Sequence, residues 1–224
     1  MRTKYLQAAI AAIGLGTAAL ANATVLLPGG GPATVDILAS APGGNILASE
    51  SVEMITPHWT GTFRSAVVDG PEAGVNLDFY YQITNASTSS DSLGRVTGSD
   101  FNNGFTTSLF QTATAFDGFV TGTQLAASGD RDLLGVVGFN FVPGNTGTGK
   151  VDPGESSYIL IVRTNATQFQ NGFSAVINGT STTVASYMPA GSPPLVGPVP
   201  EPGTMALIGS GLLAFGGIAR KRKQ

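Results

Sequence analysis

Hydrophobic and polar residues alternate with a period of two from Asn76 to Thr84. Leu77, Phe79, Tyr81 and Ile83 fall on one face, and Asn76, Asp78, Tyr80, Gln82 and Thr84 on the other. Successive side chains of an extended chain point to opposite faces, so this stretch predicts a half-buried antiparallel strand. In the run Trp59 to Val68, Trp59, Phe63 and Val67 share one parity, with Thr60, Thr62 and Arg64 opposite. Leu134 to Val142 and Tyr158 to Val162 are more continuously apolar and predict central strands. Phe173 to Ile177 and Thr182 to Tyr187 predict a hairpin across Asn178-Gly179, a favoured turn pair. Weaker strand candidates are Thr34 to Leu38, Ser51 to Thr56, Arg95 to Phe101 and Phe105 to Gln111. Only Gln124 to Leu134 hints at a helix, and Gly129 interrupts it. About nine or ten short strands with almost no helix predict a mainly β fold, an antiparallel β-sandwich in preference to a barrel. No internal repeat is present.

The ends of the chain break this pattern. Arg2 and Lys4 precede the Ala-rich apolar stretch Leu6 to Leu20, and Ala21-Asn22-Ala23 is a small-x-small site. That layout predicts a secretory signal peptide, 1–23, cleaved after Ala23 by signal peptidase. At the other end Gly203 to Ala219 is 17 residues without a charge, followed by Arg220, Lys221, Arg222 and Lys223. As a helix it would be about 25 Å long, short for a hydrocarbon core of about 30 Å. Snorkelling cations and local thinning make it usable as a single transmembrane helix. The four cations form a basic stop expected to stay cytoplasmic, leaving the body on the far side. The alternative, a buried C-terminal helix of a soluble domain, fits poorly with four bare cations behind a Pro-rich stretch. Between the ends, 24–188 is the expected β ectodomain and 189–198 a Pro/Gly linker, with the tail at 199–224. Thr24 to Pro198 has the size of one domain with a real core, or less readily of two small ones.

Charge narrows the partners. The body holds five cations, Arg64, Arg95, Arg131, Lys150 and Arg163, against 13 acidic residues. An acidic body with scattered cations is a poor binder of nucleic acid or other polyanions. With no cysteine, packing alone must hold an exported domain, and thiol chemistry and Cys-based zinc sites are excluded.

Catalytic signals are sparse. His58 is the sole histidine, and its setting between Pro57 and Trp59 favours a packed or surface role. No nucleophile elbow, P-loop or dinucleotide fingerprint occurs. The carboxylate pairs Asp130/Asp132, Asp152/Glu155 and Asp69/Glu72 suit a glycosidase in residue type, but each reads more simply as a solvated turn. No cofactor is expected. Oxygen ligands are plentiful enough to leave room for weak calcium binding, without a definable ligand set. Asn85-Ala86-Ser87, Asn165-Ala166-Thr167 and Asn178-Gly179-Thr180 fit the glycosylation sequon, a chance pattern in so Asn/Ser/Thr-rich a chain. Tyr80 is a candidate for stacking on a sugar, although cover by a neighbouring loop or sheet is the favoured expectation.

Val199-Pro200-Glu201-Pro202-Gly203-Thr204, the glycine-interrupted apolar segment and the basic end together resemble the PEP-CTERM sorting domain. The resemblance covers about the last 26 residues. It implies that Pro200, Glu201 and Pro202 are read by an exosortase, a membrane protease-transpeptidase of Gram-negative bacteria that make exopolysaccharide. It further implies an inner-membrane-anchored precursor, cleaved near the motif and passed to the cell surface or extracellular matrix. Leu77 to Asn85 and Ser157 to Asn165 look like segments of the β-rich ectodomains such proteins often carry. The expected function is a structural or adhesive, non-catalytic surface protein. The alternatives are a carbohydrate-binding module or a polysaccharide hydrolase on the same tail.

Overall fold

The computed structural model describes residues 25–70, 76–102, 104–141 and 149–192. Within them the chain is mainly β and contains no helix. The strands are β1 (Asp36–Ile37), β2 (Ile46–Ile55), β3 (Thr60–Asp69), β4 (Leu77–Asn85), β5 (Arg95–Gly98) and β6 (Thr107–Thr112). They continue with β7 (Ser128–Arg131), β8 (Val137–Asn140), β9 (Ile159–Thr164), β10 (Phe169–Asn178) and β11 (Thr180–Pro189). Six form a sheet in the order β1-β6-β9-β4-β3-β2, and five a sheet in the order β11-β10-β5-β8-β7. Every pairing between these strands is antiparallel except β1 with β6.

Local chemistry sets the hairpins. Between β2 and β3 the Thr56 hydroxyl accepts from the Trp59 N–H at 3.0 Å and donates to the Trp59 carbonyl at 2.7 Å. His58 therefore sits exposed at the hairpin tip while Trp59 is buried. The β10–β11 hairpin turns at Gly179, whose φ of +72° is a left-handed conformation that glycine adopts without strain. Between β7 and β8, Asp132 Oδ1 accepts from the N–H groups of Leu134 and Val136, both at 2.8 Å. That side-chain-capped turn leaves Leu133 and Leu134 exposed at the tip.

One core draws on both sheets. Phe63, Phe79, Tyr81 and Val162 come from the six-stranded sheet, and Val96, Phe139, Val176 and Val184 from the five-stranded one. Phe79 meets Phe101 edge-on at 5.3 Å between centroids, and Tyr81 donates its hydroxyl to the Tyr187 carbonyl at 3.1 Å. A second, smaller cluster lies on the other face of the six-stranded sheet. Ala66, Val68, Tyr80, Ile159 and Ile161 there are covered by Leu38, Ala41, Phe116 and Phe119.

That second cluster corrects the expectation for Asn76 to Thr84. The alternation is real, but β4 is buried on both faces, Asp78 and Tyr80 included. Three other expectations change. Gln124 to Leu134 forms no helix; it contains β7, whose Gly129 pairs with Phe139 and bridges to Ala33. A Cβ on Gly129 would meet the tip of the Leu109 side chain, which reaches it from the six-stranded sheet, so glycine leaves room for that contact. Leu134 to Val142 contributes only Val137–Asn140 as strand, because the Asp132 turn claims its first residues. β11 runs through Pro189, into the stretch expected as linker. The Pro143 to Gly149 loop lies outside the described residues but for Gly149, as does the linker from Pro193 onward.

Candidate functional site

Of the carboxylate pairs singled out in the sequence, Asp130/Asp132 and Asp152/Glu155 are bound up locally. Asp130 faces an open cleft of about 490 Å³ beside Gly29 to Gly31 and Leu133. Its two carboxylate oxygens accept from Arg95 at 2.5 and 2.6 Å, and from Asn140 Nδ2 at 2.8 Å. Burial pushes this carboxyl up, but the bonds from Arg95 and Asn140 outweigh it and hold it below its ordinary value. Asp132 is committed to its own turn. Asp152 and Glu155 close another turn, with Glu155 Oε2 accepting from the Asp152 N–H at 3.0 Å and Ser92 donating to Asp152 Oδ1 at 2.5 Å. Asp69 ends β3, and Glu72 lies outside the described residues. Among the described residues no group of three metal-ligating side chains converges.

The sequon asparagines also have structural work. Asn85 is fully buried and donates to the carbonyls of Asp91 and Val151 at 2.9 and 3.1 Å. Asn165 Oδ1 accepts from the Thr106 N–H, and Asn178 donates to Asp91. Tyr80 is fully buried, with its ring 5.6 Å from Phe116 and 6.1 Å from Phe119. Stacking on a sugar is therefore closed to it; the favoured expectation of cover by a loop holds. Burial also raises its hydroxyl pKa, helped by the neighbouring Asp78 charge.

Two arrangements escaped sequence reasoning. The first is Arg131, buried with no carboxylate partner among the described residues. Its guanidinium donates to the carbonyls of Phe101, Leu26 and Phe105 at 2.7 to 3.2 Å, and also to that of Asn102. It clasps the N-terminal segment and the 101–105 turn to β7, and burial lowers its pKa. The second is a polar pocket of about 190 Å³ on the outer face of β2, β3 and β4. Register builds it: Ser51, Arg64 and Gln82 lie in one cross-strand row, Thr62 and Thr84 in the next. Gly118 and Val120 close one wall. That wall is pinned by Gln82, which donates to the Val120 carbonyl at 2.7 Å and accepts from its N–H at 2.9 Å. Arg64 Nη2 donates to the Asp117 carbonyl at 3.2 Å, and its guanidinium lies 5.1 Å from the Phe119 ring. Arg64 Nε is buried with no partner. The only sequence signal for this site was the outward parity of Thr62 and Arg64.

The residues expected to direct sorting lie elsewhere. Ala21, Ala23, Pro200, Glu201, Pro202 and Arg220 to Lys223 are outside the described residues, as is the apolar segment 203–219. Among the described residues no helix is long and apolar enough to cross a membrane. The family model for the PEP-CTERM protein-sorting motif matches residues 198–223. The chain thus carries this motif, which implies an exported protein, a membrane-anchored precursor and an exosortase as processing partner. No curated protein and no solved structure matches the chain.

Proposed function

We propose that the protein is a non-catalytic component of the cell surface or extracellular matrix, with a structural or adhesive body released or transferred by exosortase. The observation that carries this reading is the sorting motif at 198–223. In this reading signal peptidase cuts after Ala23, 203–219 spans the inner membrane, and Arg220 to Lys223 stay cytoplasmic. The body is an antiparallel β-sandwich that meets exopolysaccharide. The core common to both sheets and the Tyr81–Tyr187 bond support that architecture. A polysaccharide hydrolase on the same tail would need a carboxyl able to exchange its proton with substrate. The engagement of Asp130 with Arg95, and of Asp132 with its turn, speaks against that use.

Pro200 and Pro202 remove two backbone donors and disfavour helix, which keeps Glu201 in an extended, accessible stretch. The test is expression of the full chain and of Glu201→Ala in a host with the matching exosortase, followed by intact mass and membrane fractionation. Wild type is expected to lose its tail, while Glu201→Ala accumulates as membrane-bound precursor. Equal cleavage of the two would make the tail an ordinary anchor.

A further inference from the structure

We infer that the pocket around Arg64 binds a carboxylated sugar, one unit at a time. The charge pattern is the first reason. Three of the body's arginines are satisfied internally: Arg95 by Asp130, Arg163 by Asp78, and Arg131 by backbone carbonyls. Among the described residues Arg64 has no carboxylate partner; Nη2 reaches a carbonyl and Nε reaches nothing. Nε is itself shielded from solvent, so the terminal nitrogens of this half-buried guanidinium are what a carboxylate in the pocket would meet.

The lining is the second reason. Beside the guanidinium the pocket offers the hydroxyls of Ser51, Thr62 and Thr84. Thr84 is shared with Ser156 at 2.8 Å, whereas the hydroxyls of Ser51 and Thr62 have no protein partner among the described residues. Hydroxyls that donate and accept match the ring hydroxyls of a sugar. No acidic side chain lines the pocket. Glu53, which pairs with Thr62 across β2 and β3, stands exposed on the same face at its rim and disfavours a second negative charge.

Preorganisation is the third reason. The Gln82–Val120 bonds fix the wall, and Gly118, at a φ of +84°, packs against the guanidinium where a Cβ would collide with it. The site needs no rearrangement to accept a ligand, and its volume suits a single ring rather than an oligomer. A free sugar acid and a unit of an acidic polymer share this chemistry.

The inference gives the adhesive reading a ligand. Its test needs no exosortase, so its failure would leave the sorting reading standing. Calorimetric titration of the full chain in detergent would use galacturonate, glucuronate, galactose, sulfate and polygalacturonate. At least one of the two sugar acids is expected to bind at least about tenfold more tightly than galactose or sulfate. Arg64→Gln should abolish that preference, Arg64→Lys should retain part of it, and Lys150→Gln, at an exposed position outside the pocket, should leave it intact. Thr62→Val keeps the guanidinium and should weaken binding of that sugar acid severalfold, which covers the case in which Arg64→Gln fails to fold. A polymer that binds while both monomeric acids do not would move the recognition site off this pocket. Equal binding of galactose and the sugar acids, tighter binding of sulfate, or unchanged binding by Arg64→Gln would overturn the inference.

Discussion

Asp78 on β4 and Arg163 on β9 face each other across the sheet in a two-pronged ion pair. Arg163 Nε donates to Asp78 Oδ1 at 2.9 Å and Nη2 to Oδ2 at 2.8 Å. The carboxylate side chain is fully buried, while the guanidinium is 28% exposed and lies over the Phe110 ring. The pair is thus half desolvated, and the two partners do not contribute alike.

Removing Arg163 should be the more damaging of the two single changes, because the partner left behind, Asp78, is the fully buried one. Asp78→Asn is expected to cost about 2–3 kcal/mol, below the 3–5 kcal/mol typical of breaking a fully buried pair, because water still reaches Arg163. Arg163→Met should cost more than its lost packing suggests, since it strands a buried carboxylate. A double-mutant cycle by urea denaturation, with Asp78→Leu/Arg163→Met as the closing corner, should recover part of the loss.

Asp78 and Asp130 should tilt the acid limb of stability in opposite directions. Asp130 is held below its ordinary 3.8, so its contribution is present above the unfolded value and lost as pH falls through the folded one. Asp78 is raised, chiefly by burial, with Arg163 offsetting only part. Its contribution is present below the unfolded value and lost as pH rises through the folded one. Denaturation from about pH 2 to 7 should therefore show a shallower acid decline in Asp130→Asn and a steeper one in Asp78→Asn.

Arg131→Lys should not rescue Arg131→Leu. An ammonium cannot span carbonyls spread over Leu26, Phe101 and Phe105 as a planar guanidinium does. Both variants are expected to lose at least roughly 1–3 kcal/mol, the range for a single buried acceptor left unmade, since several carbonyls lose their donor together. Hydrogen exchange should rise first in the N-terminal segment around Leu26.

Phe79→Ala should cost roughly 3–5 kcal/mol. The ring is fully buried and packs edge-on against Phe101 in the core common to both sheets. Thermal and urea denaturation measure the loss. A change under about 1 kcal/mol would mean the site collapses around the cavity.

Strand content was legible wherever one face of a strand had to be apolar. β3 and β4 follow the alternation, β9 the continuous apolar run, and the β10–β11 hairpin the Asn178-Gly179 turn. The cover over β4's second face was not legible, because Leu38, Phe116 and Phe119 sit in irregular segments with no period. β7, with the sequence Ser-Gly-Asp-Arg, holds no apolar side chain at all and owes its form to partners distant in sequence. The sorting motif was legible because it is a contiguous string. The Arg64 pocket was not, because it exists only once three strands settle into register.

Among the described residues β11 is the last strand before the tail that bears the sorting motif, and it has a strand partner, β10, on one side only. Any pull on that tail therefore loads β11 first, from its Pro189 end. An antiparallel ladder tugged from one end gives way rung by rung rather than all at once. Two bonds guard that end: the Ala190 N–H to the Gln168 carbonyl at 2.9 Å, and Tyr81 to the Tyr187 carbonyl. Only the second fastens the strand to the other sheet. While the body is tethered, its resistance to mechanical peeling is shared by the β10 ladder, by Val184 seated in the core and by the rivet that Tyr81 supplies.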